Sequence, residues 1–502
     1  MSRQQLLQSA PIATVAFGFE SANALAPNAV LMEGNKYPIV LVHGVAGWGR
    51  DELLGIKYWG GLQGDLQEQL EAQGHTVFTA SVGPYSSNWD RACELYAQIK
   101  GTTVDYGAKH SKHFDHTQLG HTYSQGLYPQ WGDVDPVTGE INKIHFIGHS
   151  MGGTTIRMLA QMLAHGSAGA SWGQEASASR ESLFAGGKGD WVHSITTISS
   201  PHLGTTLADE ISNLGGDTLK HVLFGISSTL GVVGDSTEQF YDVKMDQWGI
   251  DAKGEHESLH QYIDRVDLFT KPGYQDTAIG SCSTQGAAEE NTWVRTLPNV
   301  YYMSYATSDT FTTRDFLYRS TQLPHLLTMM LPLQPMASFM GSQYPIRHGF
   351  STEWQENDGI VPTISMAKDA TGDFVIVANE TAGFGKIVRG KWNIMPKLDR
   401  LDHAAVIGFT VLKQVNEIYL RHAELLRSLP KEDVAVAVAI PGGAQVRAPP
   451  LAQPPLVQPL TMHVDAIEKP QQCEDPYLLM ASTTAPYQHM EMEMELKTKV
   501  KE

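Results

Sequence analysis

Residues 143–153 read KIHFIGHSMGG, and this stretch decides the fold more than any other part of the chain. Apolar residues that favour a strand lead into the pattern Gly-x-Ser-x-Gly around Ser150, and a helix-like stretch follows at 154–160. A sharp strand-to-helix turn exposes a serine hydroxyl beside a base, which makes a weak nucleophile effective. Gly148 and Gly152 suit that turn because a side chain at either position would crowd the backbone. Since the pattern also occurs in ordinary loops, this interpretation needs partner residues elsewhere.

Length and composition restrict the class of protein. The 502 residues are enough for one large hydrophobic core or two ordinary ones. Hydrophobic residues make up 42% and charged residues 18%, which is typical of a globular protein. A net charge of −18 argues against nucleic-acid binding, which requires a basic surface for phosphates. No apolar run approaches the roughly 18 residues that a transmembrane anchor needs.

The two ends of the chain differ from its centre. Residues 1–34 contain Arg3, a weakly apolar stretch at 10–19 and small residues at 22–24, which together outline a secretory signal. Because polar residues and proline interrupt the apolar stretch, a disordered leader is an equal alternative, and secretion is only slightly favoured over the cytoplasm. Residues 431–502 are rich in proline, which predicts a disordered tail without chemistry. The oligomeric state stays open.

Residues 35–430 form the predicted main domain, in which strands and helices alternate. Predicted strands lie at 37–42, 75–80, 144–147, 191–198, 300–305 and 374–377, and predicted helices at 65–72, at 91–99 and from His403 towards Leu426. Short, continuous apolar runs of this kind indicate buried strands. Their alternation with helices predicts an α/β fold with a mostly parallel central sheet and helices on both faces.

A serine nucleophile needs a histidine base. In folds with this kind of turn, an acid and then the histidine follow the serine along the chain. His403 lies just before the predicted last helix, where a loop at the C-terminal edge of the sheet is expected. His422 falls inside that helix beside Arg421, which favours an exposed surface role. His403 is therefore the predicted base.

The base in turn needs an acid that orients its imidazole ring. Asp358 lies in the stretch 354–362, at a turn marked by the glycine that follows it. Asp399 and Asp402 are closer to His403 in sequence, but neighbours in one loop rarely reach the Nδ1 atom correctly. Asp358 is favoured, and the other two stay open as alternatives.

An oxyanion hole requires backbone N–H groups that point at the developing negative charge. Met151, directly after the nucleophile, is expected to supply one of them. The glycine-rich turn 42–49 follows the first buried strand, and Val45 within it is the natural second donor. A turn without a catalytic role is the alternative interpretation.

Four further residues have the chemistry of zinc ligands: Asp90, His110, His116 and Asp246. Their spacing alone says little. The histidines belong to a histidine-rich loop of the kind that is usually solvated, and Asp90 is also suited to capping the helix after it. On the residues alone, the solvated loop is the favoured interpretation.

Residues 37–427 resemble the thermostable and staphylococcal bacterial lipases. The resemblance rests on long, separate motifs: VHGVAGWGR at 42–50, KYWGG at 57–61, VGPYSSNWDRAC at 82–93, VDYGAKH at 104–110, TISSPHLGTT at 197–206, DQWG at 246–249 and ENDGIV at 356–361. This family comprises large α/β-hydrolase lipases that carry a small zinc-binding subdomain and a helical lid.

The resemblance implies a role for each candidate residue. It places the nucleophile on Ser150, the acid on Asp358, the base on His403, the oxyanion donors on Val45 and Met151, and the zinc ligands on Asp90, His110, His116 and Asp246. It also implies a zinc subdomain at about 84–120 and 236–250. A lid is implied at about 205–235, where apolar residues recur at near-helical spacing; an ordinary amphipathic helix is the alternative.

The chain departs from the family at two positions. The oxyanion residue is often aromatic in the family, whereas Val45 is smaller, which leaves the N–H group but reshapes the acyl pocket. The family's calcium site uses a carboxylate two residues after the catalytic histidine, where this chain has Ala405. Because calcium takes several carboxylate oxygens, we predict that this site is lost.

Together these observations predict a lipase. It would hydrolyse glyceride esters through an acyl-enzyme, with a lipid or ester substrate met at a lipid–water interface. An esterase or phospholipase that acts on soluble or membrane esters is the alternative. A non-catalytic lipid-binding protein is a second alternative, against which the intact triad residues argue.

Overall fold

The part of the chain that the structure describes is discontinuous. The computed structural model describes residues 34–176, 182–214, 242–250, 254, 257, 261–262, 275–315, 317–343, 351–380, 383–384 and 386–431. Residues 1–33 of the expected leader, 215–235 of the expected lid, 236–241 of the expected zinc subdomain and 432–502 of the expected tail lie outside these ranges. What the sequence predicts for those residues stays a prediction.

A seven-stranded parallel sheet forms the centre of the fold. In chain order the strands are β1 (Ile39–Val42), β2 (Val77–Ala80), β3 (Thr103–Asp105), β4 (Leu119–Thr122), β5 (Ile144–His149), β6 (Val192–Ile198), β7 (Tyr301–Tyr305), β8 (Thr307–Ser308), β9 (Thr310–Arg314), β10 (Ser320–Pro324), β11 (Phe374–Ile376), β12 (Asn379–Glu380), β13 (Gly383–Phe384), β14 (Trp392–Ile394) and β15 (Leu398–Asp399). The central sheet has the order β11-β14-β7-β6-β5-β1-β2, and all of its neighbours are parallel. The remaining strands form two-stranded pairs around it.

In the part of the chain that the structure describes, eight helices lie in connections between strands and a ninth follows the last strand. They are α1 (Leu66–Ala72), α2 (Asn88–Lys100), α3 (Ala108–Phe114), α4 (Met151–His165), α5 (Thr206–Leu214), α6 (Ala278–Cys282), α7 (Thr284–Glu290), α8 (Gln334–Gly341) and α9 (Asn416–Ser428). Within the described ranges, none of the helices is both long and apolar enough to span a membrane.

The central sheet is covered on both faces. Ile39 and Leu41 of β1 pack in one hydrophobic cluster with α1 and α9, whereas Val40 and Val42 pack in another with α2 and α4. Successive side chains of a strand point to opposite faces, so these two clusters mark the two faces of the sheet. The predicted α/β architecture, with a parallel sheet between helices, is confirmed at this level.

The last helix begins later than the sequence predicts. From Ala405 to Ile407 the chain forms only one 3-10 turn, and Gly408, with φ of 102°, ends it in a left-handed conformation. A glycine in this conformation commonly terminates a helix. The helix α9 starts at Asn416, so His403 lies on a loop well before it. The sequence also missed β14, whose three residues are too few to show a periodic pattern.

The expected surface position of His422 is wrong. Its side chain is buried against β6 and β7, where Nε2 lies 2.7 Å from Thr196 Oγ1 and Nδ1 lies 3.0 Å from the Tyr305 hydroxyl. Burial lowers the pKa of His422 to about 3. His422 is three residues after Tyr419 and four before Leu426, both buried, so helical periodicity already indicated this face.

Candidate active site and metal-ligand cluster

Ser150 lies at the sharp turn between β5 and α4. Its φ of 56° and ψ of −133° form a conformation that residues other than glycine rarely adopt. The glycines beside it are required for close packing, because a Cβ on Gly148 would lie 2.5 Å from the Gly152 carbonyl carbon. A Cβ on Gly152 would lie 2.1 Å from Val42 O. The turn therefore holds the Ser150 hydroxyl at the C-terminal end of β5.

His403 connects Ser150 with Asp358. Its Nε2 lies 2.8 Å from Ser150 Oγ, and its Nδ1 lies 2.7 Å from Asp358 Oδ2. The His403 N–H also donates to Asp358 O at 2.9 Å, which joins the two loops through the backbone. The structure thus brings the three residues into one hydrogen-bonded line, in the geometry that nucleophile, base and acid require.

Further donors fix the Asp358 carboxylate. Its Oδ1 accepts from the N–H groups of Ile360 and Val361 at 3.1 and 2.9 Å. Its Oδ2 accepts from the Thr307 hydroxyl at 2.8 Å. These contacts point the remaining lone pair of Oδ2 at His403. Thr307 has no signal in the sequence, because it lies far along the chain and only the fold places it here.

The alternative acids have other positions. Asp402 accepts from the N–H groups of Met330, Ala404 and Ala405 at 2.8, 2.9 and 2.7 Å, so it braces the loop that carries His403. Burial raises the pKa of Asp402 to about 6. Asp399 has a side chain that is 66% exposed and 3.0 Å from Lys397 Nζ.

A second hydrogen-bonded line lies beside the first. The Gly44 N–H donates to the Tyr58 hydroxyl at 2.9 Å, and that hydroxyl lies 2.7 Å from His149 Nδ1. Burial, together with the nearby His403, lowers the pKa of His149 well below its ordinary value, which favours the neutral ring. The rings of His149 and His403 are 4.7 Å apart. No sequence pattern gives His149 or Tyr58 a role, although His149 directly precedes Ser150.

Both expected oxyanion residues lie beside Ser150. Met151 is the first residue of α4, where N–H groups have no acceptor within the helix. Val45 lies in the turn after β1 and lines the same pocket as Ser150. That turn comes close to the nucleophile because Gly44 has no side chain; a Cβ there would lie 2.6 Å from Ser150 Cβ.

An apolar pocket opens over Ser150. Most of its lining is apolar and comes from six regions of the chain: Val45, Pro201, Leu207, Ala208, Ile211, Ile279, Cys282, Leu333, Ile360, Val361 and Ala404. The first part of the expected lid is thus helix α5, and its residues Leu207, Ala208 and Ile211 face the pocket. Such a pocket suits the hydrocarbon part of an ester.

A second buried cluster brings together Asp90, His110, His116 and Asp276. One ligand atom from each residue lies within 4.8 Å of all the others. His110 Nε2 is 3.0 Å from Asp90 Oδ1 and 3.4 Å from Asp276 Oδ1, and His116 Nε2 is 3.3 Å from Asp276 Oδ2. At most 1% of each of these side chains is exposed.

The polar atoms of this cluster fit a cation. His116 Nε2 and both carboxylate oxygens of Asp276 are buried without a hydrogen-bond partner. His116 Nδ1 donates to Thr117 O at 2.8 Å, which leaves the lone pair of Nε2 directed into the cluster. Burial lowers the pKa of His110, but the carboxylates of Asp276 and Asp90 outweigh this effect and raise it to about 9. Positive charge is therefore favoured at the centre of the cluster.

Asp246 is not part of this cluster, which corrects the expected ligand set. It begins a single 3-10 turn, Asp246–Trp248, and lines a different cavity together with Glu94 and His121. Its neighbour Gln247 turns towards the cluster instead, where Nε2 donates to Asp90 Oδ2 at 3.3 Å. Asp276 takes the fourth position. It lies two residues before the start of α6, and no spacing in the sequence relates it to the histidines.

Contacts from other elements support the histidines. Glu175 accepts from the N–H groups of Lys109 and His110 at 3.0 and 2.7 Å, which fixes the start of α3. The ring of Trp89 stacks on His110 with centroids 5.0 Å apart. Ser87 is the residue that caps α2 by accepting from the Asp90 N–H, so the alternative role of Asp90 as a cap is wrong.

Comparison with known proteins identifies the family. The family model of the lipase-like, C-terminal domain matches residues 35–427. The chain belongs to this family. It is 34% identical over 381 residues to Lipase 2 of Staphylococcus aureus, an alignment that covers 75% of this chain and 51% of that protein. The chain therefore spans about half the length of the curated relatives that it matches.

Solved structures of the family share the fold. EstA from Clostridium botulinum is 41% identical, with a TM-score of 0.67 and coverage of 80% of this chain and 89% of that chain. Lipase 1 from Pelosinus fermentans is 44% identical, with a TM-score of 0.66 and coverage of 79% of this chain and 99% of that chain. The resemblance to bacterial lipases that the sequence motifs indicate is confirmed.

Proposed function

We propose that this protein is a lipase with an α/β-hydrolase fold that hydrolyses the ester bonds of glycerides. One observation carries the proposal: Ser150 Oγ, His403 and Asp358 form a continuous hydrogen-bonded line beneath an apolar pocket. Membership of the lipase-like family and the names of its relatives support it.

The proposed reaction uses these residues in a fixed order. His403 Nε2 accepts the Ser150 proton while Oγ attacks the ester carbonyl carbon, and Asp358 stabilises the imidazolium that forms. The N–H groups of Val45 and Met151 stabilise the tetrahedral oxyanion. When the C–O bond breaks, His403 returns the proton to the leaving alcohol, and the acyl group stays on Ser150. Water, deprotonated by His403, then hydrolyses this acyl-enzyme.

The lining of the pocket favours fatty acyl groups over small polar acids. With few polar groups near Ser150, binding of the acyl chain would rest on burial of its apolar surface. An esterase or phospholipase on the same scaffold is the alternative for soluble or membrane esters. We propose that helix α5 is part of a lid, because it covers the pocket and would have to move before a lipid enters.

We further propose that Asp90, His110, His116 and Asp276 hold a structural zinc ion. Two imidazole nitrogens and two carboxylate oxygens form a set that zinc accepts in four-coordinate sites, with no position left open for a reacting group. A bound zinc ion would connect α2, α3 and the start of α6 and so stabilise their packing. Three points stay predictions of the sequence. They are the loss of the family's calcium site, the presence of a small zinc subdomain, and secretion, with the cytoplasm as the alternative.

Replacement of the nucleophile tests the proposal directly. We expect Ser150→Ala to reduce hydrolysis of emulsified triolein by about a thousandfold or more, because no other group can form the acyl-enzyme. The rate is measured by pH-stat titration of released acid. A variant that keeps more than about a tenth of the rate would contradict the assignment. If the wild type hydrolyses no ester and binds lipid as well as Ser150→Ala does, the lipid-binding alternative would be favoured.

A further inference from the structure

Three leucine side chains close to the pocket lie in solvent. Leu326, Leu327 and Leu331 are 68%, 94% and 77% exposed. All three belong to the connection between β10 and α8. Single exposed leucines are common on proteins, but a patch of them marks an interaction site.

The backbone beneath these leucines is held in place. The Thr328 hydroxyl donates to Asp309 Oδ1 at 2.7 Å, and Gln334 Nε2 donates to Leu326 O and Met329 O at 3.2 and 2.9 Å. Met329 itself is buried in a small cluster with α8. The leucines are therefore presented outward by a fixed backbone.

The segment that carries this leucine patch reaches the active site. Leu333, two residues after Leu331, lines the pocket over Ser150. The Met330 N–H donates at 2.8 Å to Asp402, the residue before His403. A surface that receives the patch would therefore meet the rim of the pocket.

The charge pattern points to the kind of surface. Residues 320–343 contain no Asp, Glu, Lys or Arg, whereas 18% of the whole chain is charged and its net charge is −18. An uncharged segment can move from water into an apolar surface without the free-energy cost of desolvating ions. Because the protein as a whole is negative, an anionic surface repels it, and a neutral or zwitterionic one does not.

We propose that Leu326, Leu327 and Leu331 insert into a neutral or zwitterionic lipid surface and hold the pocket against it. This inference rests on the proposed lipase function, since it names the partner of the same site. The patch lies outside the expected lid, on a segment that hydrogen bonds of Thr328 and Gln334 hold in place.

The test separates docking from catalysis. Leu326→Ser/Leu327→Ser is compared with Val134→Ser/Val137→Ser, a matched pair whose valines are 62% and 91% exposed on a different turn. Binding is measured by flotation with dioleoylphosphatidylcholine vesicles, with Ser150→Ala added to every protein so that no lipid is hydrolysed. We expect the leucine variant to bind about tenfold more weakly or worse, and the valine variant to bind like the parent.

Two activity assays complete the test. With Ser150 intact, the leucine variant should lose triolein hydrolysis in parallel with binding, while soluble p-nitrophenyl butyrate hydrolysis stays within about twofold because neither leucine lines the pocket. Equal vesicle binding by the leucine and valine variants would overturn the docking proposal, as would tighter binding to anionic phosphatidylglycerol vesicles. If the wild type hydrolyses neither ester but still binds through the leucines, the proposed function fails and the docking surface stands.

Discussion

The candidate active site and the metal-ligand cluster use the same residue types in opposite ways. At the active site each ring nitrogen of His403 has one partner, Asp358 on one side and Ser150 on the other. In the cluster, His116 Nε2 and both oxygens of Asp276 converge without a hydrogen bond. Two kinds of buried His-Asp site therefore occur in one domain.

The difference follows from what each site must hold. A proton moves along a hydrogen bond, so the active site needs donors and acceptors that alternate in a line. A metal ion needs lone pairs that point to one centre, and these repel one another until a cation is present. The two arrangements predict different responses to substitution.

The largest expected effect separates the acid from its neighbour. Asp358→Asn should lower kcat by about 10⁴-fold, because an amide no longer orients the imidazole or stabilises its charge. Asp402→Asn is the matched control, since Asp402 directly precedes the same histidine but accepts from the backbone N–H groups of Met330, Ala404 and Ala405. Steady-state kinetics on a soluble ester measure both. A larger loss from Asp402→Asn would reverse the assignment of the acid.

The cluster should respond in metal content and stability. We expect about one zinc atom per chain in protein purified without chelator, and much less in Asp276→Asn and His110→Ala. Because metal binding is coupled to folding, both variants should also lose about 5 °C or more in Tm. Elemental analysis and thermal unfolding measure these quantities.

Asp246→Asn is the control for the cluster, because Asp246 lies in a different cavity. It should keep the metal and the Tm of the parent protein. If Asp246→Asn loses zinc while Asp276→Asn retains it, the ligand set from the sequence was right and that of the structure is wrong.

A smaller effect is expected beside the active site. Tyr58→Phe leaves Gly44 N–H and His149 Nδ1 without their shared partner, which costs about 1–3 kcal/mol for buried polar groups. Because those residues adjoin Val45 and Ser150, kcat should fall by about tenfold while KM stays nearly constant. A lower Tm with an unchanged kcat would show that Tyr58 is only structural.

The smallest effect concerns acid stability. His422 has a pKa of about 3 in the folded protein, whereas a histidine in an unfolded chain titrates near 6.5. Below pH 6.5 the unfolded state binds more protons, so the stability from neutral His422 is complete above that pH and is lost as the pH falls towards 3. The slope contributed is about 1.4 kcal/mol per pH unit.

His422→Gln should reduce that slope in urea unfolding measured between pH 6.5 and 5. His165→Gln, which changes an exposed histidine at the end of α4, is the control. An identical slope for wild type and His422→Gln would show that His422 is not held neutral.

Most of the fold was accessible from the sequence because it rests on local patterns. The strands around Val40 and Phe146 are continuous apolar runs, and the glycines around Ser150 mark their turn directly. The short strand β14 and the delayed start of α9 were missed, because a three-residue strand has no period and Gly408 interrupts the apparent helix.

The chemistry of individual residues was determined by the sequence, while their partners were decided by the tertiary structure. The order of Ser150, Asp358 and His403 along the chain, together with the family motifs, was sufficient to predict three residues that the structure joins by hydrogen bonds. Asp276 and Tyr58 had no such signal. They reach the histidines only because the parallel strands and their helices bring distant segments together, and a sequence pattern reports neighbours along the chain rather than neighbours in space.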